Sequence, residues 1–327
     1  MHAGVQMHTL AGPNNIVLVI DLDYLLKVAR LYYQENMSQQ EIAEYLNISR
    51  VKVYRLLLKA REEGIVKIEL RAPSQDFSGL EIKIEKNFGI KQCIIVPTSD
   101  SREIIYNSFA DILASIIDRD FKQGMSIGVG WGQTIKGTVE RMNLKKKYDM
   151  KVLPVIGGSG LVYDSDDIHA NSIVSLLAGK LGGSGYILNC PAIIDTQASK
   201  EVFLKESIIK TIVDQFEKLD LVIVPIGYIG PDITIYKTRD IMAEDIEYLS
   251  NLNIVGDINS NFIDADGNMI PNKIQDRIIN VTLESLKKIK NTIAICNGEK
   301  KIDATRAALK TGVIDTLITD ASIAEKL

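Results

Sequence analysis

The sequence predicts an α/β protein in two parts, a small helical unit at the amino end and a larger domain with a mostly parallel, Rossmann-like sheet. Three observations predict this. Between residues 21 and 62 apolar side chains recur at helical spacing, punctuated by Ser38, Asn47 and Ser49. Beyond residue 80, short β-branched runs alternate with helical segments, the pattern of a parallel sheet whose ligands sit at the carboxyl ends of its strands. The chain has 327 residues, 46% hydrophobic and 24% charged, which is enough for two cores and too apolar for disorder.

The elements follow in order. Residues 1–20 are expected to be a disordered leader. Leu25, Val28, Ala29 and Tyr32 mark a first helix. Ser38 with Glu41 three residues on has capping-box spacing and starts a second helix, which buries Ile42, Ala43 and Leu46. Asn47 tolerates a left-handed turn, and Ser49 caps a third helix that runs to Arg61 before Gly64 ends it. The alternation over 65–70 reads as a strand, the wing of a winged helix-turn-helix spanning 21–71. Residues 72–79 read as a linker, and 80–327 as the large domain. There, 93–96, 126–130, 151–156, 221–226, 253–258, 292–296 and 313–319 read as strands, and 104–117, 171–181, 283–288 and 303–310 as helices.

Composition excludes several classes. A net charge of −4 rules out a polycation overall but leaves room for a local basic patch. Cys93, Cys190 and Cys296 are odd in number and far apart, so neither a disulfide framework nor a zinc site is expected, and a reducing cytoplasm fits. Among three histidines only His169 lies beyond the first eight residues, so no His-based metal centre is expected, although carboxylate sites stay open; no cofactor is expected. No run approaches the ~20 apolar residues of a membrane span. The apolar stretch 16–20 ends at Asp21 without the flanks of a secretory signal.

The third helix carries Arg50, Lys52, Arg55, Lys59 and Arg61 with no acid between Tyr45 and Arg61. At 100° per residue Val53, Leu56, Leu57 and Ala60 share the core face. The other face presents Arg50, Val51, Lys52, Tyr54, Arg55 and Lys59, with Gln39 and Ser49 at the two helix starts. A recognition helix puts its first turns into the major groove, where Arg pairs with guanine and an apolar side chain meets the thymine methyl. Charge alone would favour a solvated cationic helix; the turn spacing, small Ala43 and wing favour DNA.

Two glycine-bearing turns stand out in the large domain. Gly124-Met-Ser-Ile-Gly-Val-Gly-Trp-Gly-Gln-Thr134 runs from a strand through a glycine-rich turn into a helix, a place where N–H groups can converge on an anion. Taken alone, its GxGxG spacing reads first as a tight structural turn. Ile295-Cys-Asn-Gly-Glu-Lys-Lys301 repeats the theme. Lysine at a helix amino end opposes the dipole unless an anion sits there, so Lys301 is a phosphate partner or a solvated side chain. Asp264-Ala-Asp-Gly-Asn268 does not make a calcium loop, because Met269 and Gln275 occupy its sixth and twelfth places. The acidic loop 164–167 reads as solvated, or as a lid over a ligand.

Val28-Ala-Arg-Leu-Tyr-Tyr33, Ser38-Gln-Gln-Glu-Ile-Ala43, Ile48-Ser-Arg50, Arg55-Leu-Leu57 and Ala60-Arg-Glu-Glu-Gly-Ile-Val66 resemble the amino-terminal signature of the SorC family of sugar-responsive transcriptional regulators. Both turns above match that family's effector domain, as do Pro154-Val-Ile-Gly-Gly158, Val224-Pro-Ile-Gly227, Val255-Gly-Asp-Ile258, Phe262-Ile-Asp-Ala-Asp-Gly267 and Leu317-Ile-Thr-Asp320. The resemblance covers about residues 21–327.

It implies an effector domain similar to ribose-5-phosphate isomerase and glucosamine-6-phosphate deaminase, a sugar or sugar phosphate as effector, operator DNA as partner, and assembly into dimers or tetramers without a membrane. It also implies effector contacts from Gly130, Gly132, Gln133 and Thr134, from Gly157, Gly158 and Ser159, and from Asn171, Gly227, Asp257 and Lys301. Two positions depart from the family. Tyr54 stands where serine is usual, which bears on base preference. Ile156 stands where one branch has a Schiff-base lysine, so the resemblance implies reversible binding. The competing expectation is a sugar-phosphate isomerase or deaminase with an appended DNA-binding module, for which no histidine lies near Asp257 or Lys301 in sequence.

Overall fold

The computed structural model describes residues 13–67, 76–158, 168–230, 236 and 241–327. The chain divides into two compact units, Met1–Ser74 and Gln75–Leu327. The first holds α1 (Pro13–Tyr33), α2 (Gln39–Leu46) and α3 (Arg50–Glu62). Proline's fixed φ suits the first helical turn, and α1 starts at Pro13, so residues 13–20 of the expected leader are helical; residues 1–12 lie outside the described residues.

Local chemistry sets the turns of this unit. Ser38 Oγ accepts from the Glu41 N–H at 3.2 Å, and the Ser38 N–H donates to Glu41 Oε2 at 2.7 Å. Asn47 ends α2 at φ 53°, and Ser49 Oγ accepts from the Lys52 N–H at 3.2 Å. Val28, Ile42, Ala43, Val53 and Leu57 form the core, with Leu46 and Leu56 partly buried against it. Ile65 and Val66 pack on Leu25, Ala29 and Ala60. They lie in a bend rather than the expected strand, whose remaining residues 68–70 lie outside the described ones.

The second unit opens with α4 (Ser78–Phe88), which takes the last two residues of the expected linker, because Asp76 Oδ1 accepts the Ser78 N–H at 3.0 Å and sets the helix start there. The rest alternates as β1 (Gln92–Val96), α5 (Arg102–Asp120), β2 (Ser126–Val129), α6 (Gln133–Arg141), β3 (Lys151–Pro154), α7 (Ala170–Leu181), β4 (Ser184–Gly185), α8 (Gln197–Lys205), α9 (Ser207–Val213) and β5 (Leu221–Tyr228). There follow α10 (Ala243–Ser250), β6 (Gly256–Ile258), β7 (Asn261–Ile263), α11 (Leu283–Leu286), β8 (Thr292–Ile295), α12 (Ile302–Lys310), β9 (Thr316–Asp320) and α13 (Ala321–Ala324).

The sheet order is β1-β9-β8-β5-β2-β3-β4, all parallel, with helices on both faces. Successive strand residues point to opposite faces. In β5, accordingly, Leu221 and Ile223 join the core under α5, α6 and α7, whereas Val222 and Val224 join the core under α4, α9 and α12. At the edge strand β1, the Cys93 and Ile95 N–H groups donate to Glu85 Oε1 and Glu81 Oε1 of α4, both at 2.9 Å. Two carboxylates thus satisfy an edge that would otherwise be open to pairing.

One expected strand differs. The run 253–258 does not enter the parallel sheet. Asn253 takes φ 57°, a left-handed turn that interrupts the extended run, and only Gly256–Ile258 is strand. This strand pairs antiparallel with the end of β5 (Gly227 opposite Asp257) and then with β7. The turn between β6 and β7 is Asn259-Ser260, at φ 49° and 63°, and both residues are buried.

Candidate functional site

In the first unit, α3 presents the residues expected to meet DNA. Arg50, Val51, Lys52, Tyr54, Arg55 and Lys59 are all exposed, and Val51 and Tyr54 keep 60% and 50% of their surface open. Single apolar residues left this bare on a basic helix suit groove contact, since packing would have hidden them. Ser49 serves as the helix cap and Gln39 is half-buried at the start of α2. Arg61, the fifth basic residue, is committed elsewhere. Its guanidinium donates to Tyr33 Oη at 2.9 and 2.7 Å and so ties α3 to α1.

In the second unit, the strand ends gather several expected residues. Gly130 follows β2, and a methyl group there would overlap Asn259 Oδ1 and come within 2.9 Å of Pro225 Cδ. Gly132 caps α6 at φ 102°, a conformation that favours glycine. The Gly130 and Gly132 N–H groups donate to the Ile223 and Ile168 carbonyls at 2.9 and 3.1 Å. These two amides are therefore occupied, which leaves the first turn of α6 as the part of the loop where a helix amino end could meet an anion. Thr134, in that turn, is buried, and its hydroxyl lies 3.4 Å from Asn297 Oδ1. That contact brings the first glycine turn to the second.

Asp257 faces Gly227 across β5 and β6, and a methyl group at Gly227 would overlap its carboxylate. Glycine there is what lets the carboxylate lie flat on the strand. Asp257 Oδ1 accepts the Ser260 N–H at 2.6 Å. Burial pushes its pKa up to about 6, opposed by that hydrogen bond and by the positive charge of Lys301. Lys301 ends the single turn Glu299–Lys301 ahead of α12, and its charge also acts on buried Cys296. The fold therefore brings Asp257 under the influence of the Lys301 charge and sets Thr134 against Asn297.

The second loop divides. The Gly157 N–H donates to the Ile279 carbonyl at 2.8 Å, and Gly158 leaves room for the Asn171 side chain. The Asn171 amide holds the backbone of Leu188, with Nδ2 to O at 3.2 Å and N to Oδ1 at 3.0 Å. Its hydrogen bonds are spent on the chain itself. Gln133 is half-buried at the start of α6, and Ser159 lies outside the described residues.

Three further residues build the site and were not singled out from sequence. Asn259 carries the β6–β7 turn, with Nδ2 donating to the Val155 carbonyl at 3.1 Å. Asn297 meets Thr134. Asp320, buried at the end of β9, accepts the Gly298 N–H at 3.1 Å with Oδ2 and caps α13 through Oδ1, from Ser322 Oγ at 2.8 Å and the Ile323 N–H at 3.2 Å. The Asn-Gly pair at 297–298 was the available signal of a turn there, and Gly298 takes φ 91°, a conformation that favours glycine.

A basic helix-turn-helix on one chain with an α/β domain of this design defines a class, the ligand-responsive transcriptional regulator. Comparison with known proteins narrows it. The family model Sugar-bind, a sugar-binding domain, matches residues 73–327. The sorbitol operon regulator of Klebsiella pneumoniae is 27% identical over 94% of this chain and 98% of that protein. The deoxyribonucleoside regulator of Bacillus subtilis is 29% identical over 92% of this chain and 96% of that protein. The crystal structure of the full-length sorbitol operon regulator SorC from K. pneumoniae superposes with a TM-score of 0.72, covering 94% of this chain and 98% of that one at 27% identity. The chain belongs to the SorC family of sugar-binding transcriptional regulators. Among the described residues no helix is long and apolar enough to cross a membrane.

Proposed function

We propose that the chain binds operator DNA through α3 and that a sugar or sugar phosphate, held by the first turn of α6, Asp257 and Lys301, sets its operator affinity. The buried Asp257 carboxylate, which lies within the influence of the Lys301 charge, carries this reading. A carboxylate with one backbone donor retains acceptor capacity for sugar hydroxyls, and a lysine near a helix amino end suits an anion. The sugar is bound and released unchanged. The relatives named above are, by their printed names, regulators of a sorbitol operon and of deoxyribonucleosides. Paired copies of α3 address half-sites one helical turn or a multiple apart, so the working form is a dimer or tetramer.

The test is a thermal-shift screen with sugars and sugar phosphates, followed by operator binding with and without each hit. A sugar phosphate that raises the melting temperature should shift operator affinity by ~5–150-fold. Lys301→Ala should abolish the melting shift and leave operator binding of the ligand-free protein intact. Turnover of a sugar phosphate at enzymatic rates would overturn the sensing role in favour of an isomerase or deaminase. A normal response in Lys301→Ala would exclude a phosphate at this lysine.

A further inference from the structure

The two edges of the parallel sheet are finished differently. At β1 the Glu81 and Glu85 carboxylates take the outward N–H groups. At the opposite edge, β4 and the two residues after it are exposed, Tyr186 at 37% and Ile187 at 57%. The Ser184 and Tyr186 N–H groups donate inward, to the Met150 and Val152 carbonyls at 2.9 and 2.8 Å. Leu188 also turns inward, its backbone held by the Asn171 amide. Backbone groups alternate in direction along such an extended run, so Gly185 and Ile187 point their N–H and carbonyl groups away from the sheet. Among the described residues nothing pairs with them. Charged side chains commonly guard an open edge, yet Gly182–Ile194 carries none.

An uncharged edge can meet a copy of itself without repulsion, and one register fits these residues. A twofold axis through Tyr186 sets Gly185 of each copy against Ile187 of the other, and each such antiparallel pair exchanges two hydrogen bonds. Tyr186 then stands opposite itself. Side chains alternate between the faces of a strand. A methyl group at Gly185 would lie 3.1 Å from Val174 Cγ1 and 3.3 Å from Ala178 Cβ, so the face shared by 185 and 187 is the one under α7. Ile187, bare in one copy, therefore arrives over Gly185 of the other, where no side chain is in its way. The four edge residues are fewer than the ~20–30 per side of a stable interface; Ser175 and Gly179 of α7, both exposed and uncharged, carry the surface further. We propose that two copies of this chain join edge to edge at β4, antiparallel with Tyr186 on the axis, to make one continuous sheet. The proposal rests on the paired working form given above and assigns it a surface.

Sedimentation of the full chain tests this. Tyr186→Lys sets two ammonium groups against each other on the axis and should weaken the association at least about tenfold, with the circular dichroism of a folded chain. Tyr186→Glu should do the same, and an equal mixture of the two variants should recover the wild-type mass, which chains damaged elsewhere would not do. Tyr186→Cys should form a disulfide-linked dimer on mild oxidation, because Cα atoms opposed at ~4.5 Å lie within disulfide reach and the native cysteines are buried. A wild-type chain that sediments as a monomer, alone and on operator DNA, overturns the pairing itself. A paired wild type whose mass is unmoved by Tyr186→Lys, with no crosslink in Tyr186→Cys, shows that the copies join elsewhere; it overturns this interface and leaves operator binding and its control by a sugar standing.

Discussion

Asp257→Asn should make the protein more stable at neutral pH, and the gain should disappear in mild acid. Burial lifts the Asp257 carboxyl from 3.8 to about 6. A pKa raised on folding means that the folded chain binds the proton more tightly than the unfolded chain does. Stability therefore falls as pH rises from about 4 to about 6, and stays reduced above that. At 1.36 kcal/mol per pH unit, the rise from 3.8 to about 6 sets the cost of the ionised carboxylate at about 3 kcal/mol above pH 6. Asparagine keeps the acceptor for the Ser260 N–H and removes the charge.

The assay is the melting temperature of wild type and variant between pH 4 and 7.5, read as their difference, so that other titrating groups cancel. For a domain of this size, about 3 kcal/mol corresponds to a rise of about 6–12 °C at pH 7.5, shrinking toward zero near pH 4. Lys301→Ala should widen the wild-type penalty, since the lysine's charge now holds the Asp257 pKa down; a double-mutant cycle isolates that pair. An asparagine variant that melts below wild type at pH 7.5, or a difference independent of pH, would refute the reasoning. Its functional side follows. The same carboxylate that strains the free fold is relieved when sugar hydroxyls donate to it, so the Asn variant should gain stability and lose ligand response together.

Other expectations are narrower. Arg50→Ala or Arg55→Ala should cost ~1–3 kcal/mol of binding to operator, measured by fluorescence anisotropy, and little on scrambled DNA; Lys59→Ala should weaken both and flatten the salt dependence. Arg61→Ala should lower the melting temperature of the amino-terminal unit, because it loses two hydrogen bonds to Tyr33. Gly130→Ala should destabilise the large domain by ~1–3 kcal/mol through overlap with Asn259 and Pro225. Asp320→Ala removes a helix cap and the anchor of Gly298, a loss of about 2–4 kcal/mol in chemical denaturation, with the ligand response lost even where the protein stays folded.

What could be read from the sequence was chemistry that acts over a few residues. The Ser38–Glu41 box, left-handed Asn47 and the Ser49 cap each bond within three or four positions, so the starts of α2 and α3 and the turn between them were legible, whereas the reach of α1 back to Pro13 and the bend at 65–66 were not. The alternation of strands with helices was legible too, though the placement of β5 between β2 and β8 was not, since nothing local records strand order. The site shows the same boundary. Gly130, Asp257 and Lys301 were visible as residue types near strand ends, and the resemblance named them. What orients them was hidden. A two-residue hairpin with both φ positive announces itself when its second residue is glycine; here Ser260 takes that place, so 253–258 reads as one strand and the turn that supports Asp257 goes unseen. Asp320 reads as the end of a strand, yet one oxygen holds Gly298 beside Lys301 and the other caps α13, which packs against α4. Both supports join segments that meet only after the sheet has formed. The residues proposed to touch the sugar are thus written in short motifs, while the residues that fix their geometry depend on the sheet, which is why variants of Asn259 and Asp320 should separate ligand response from ligand contact.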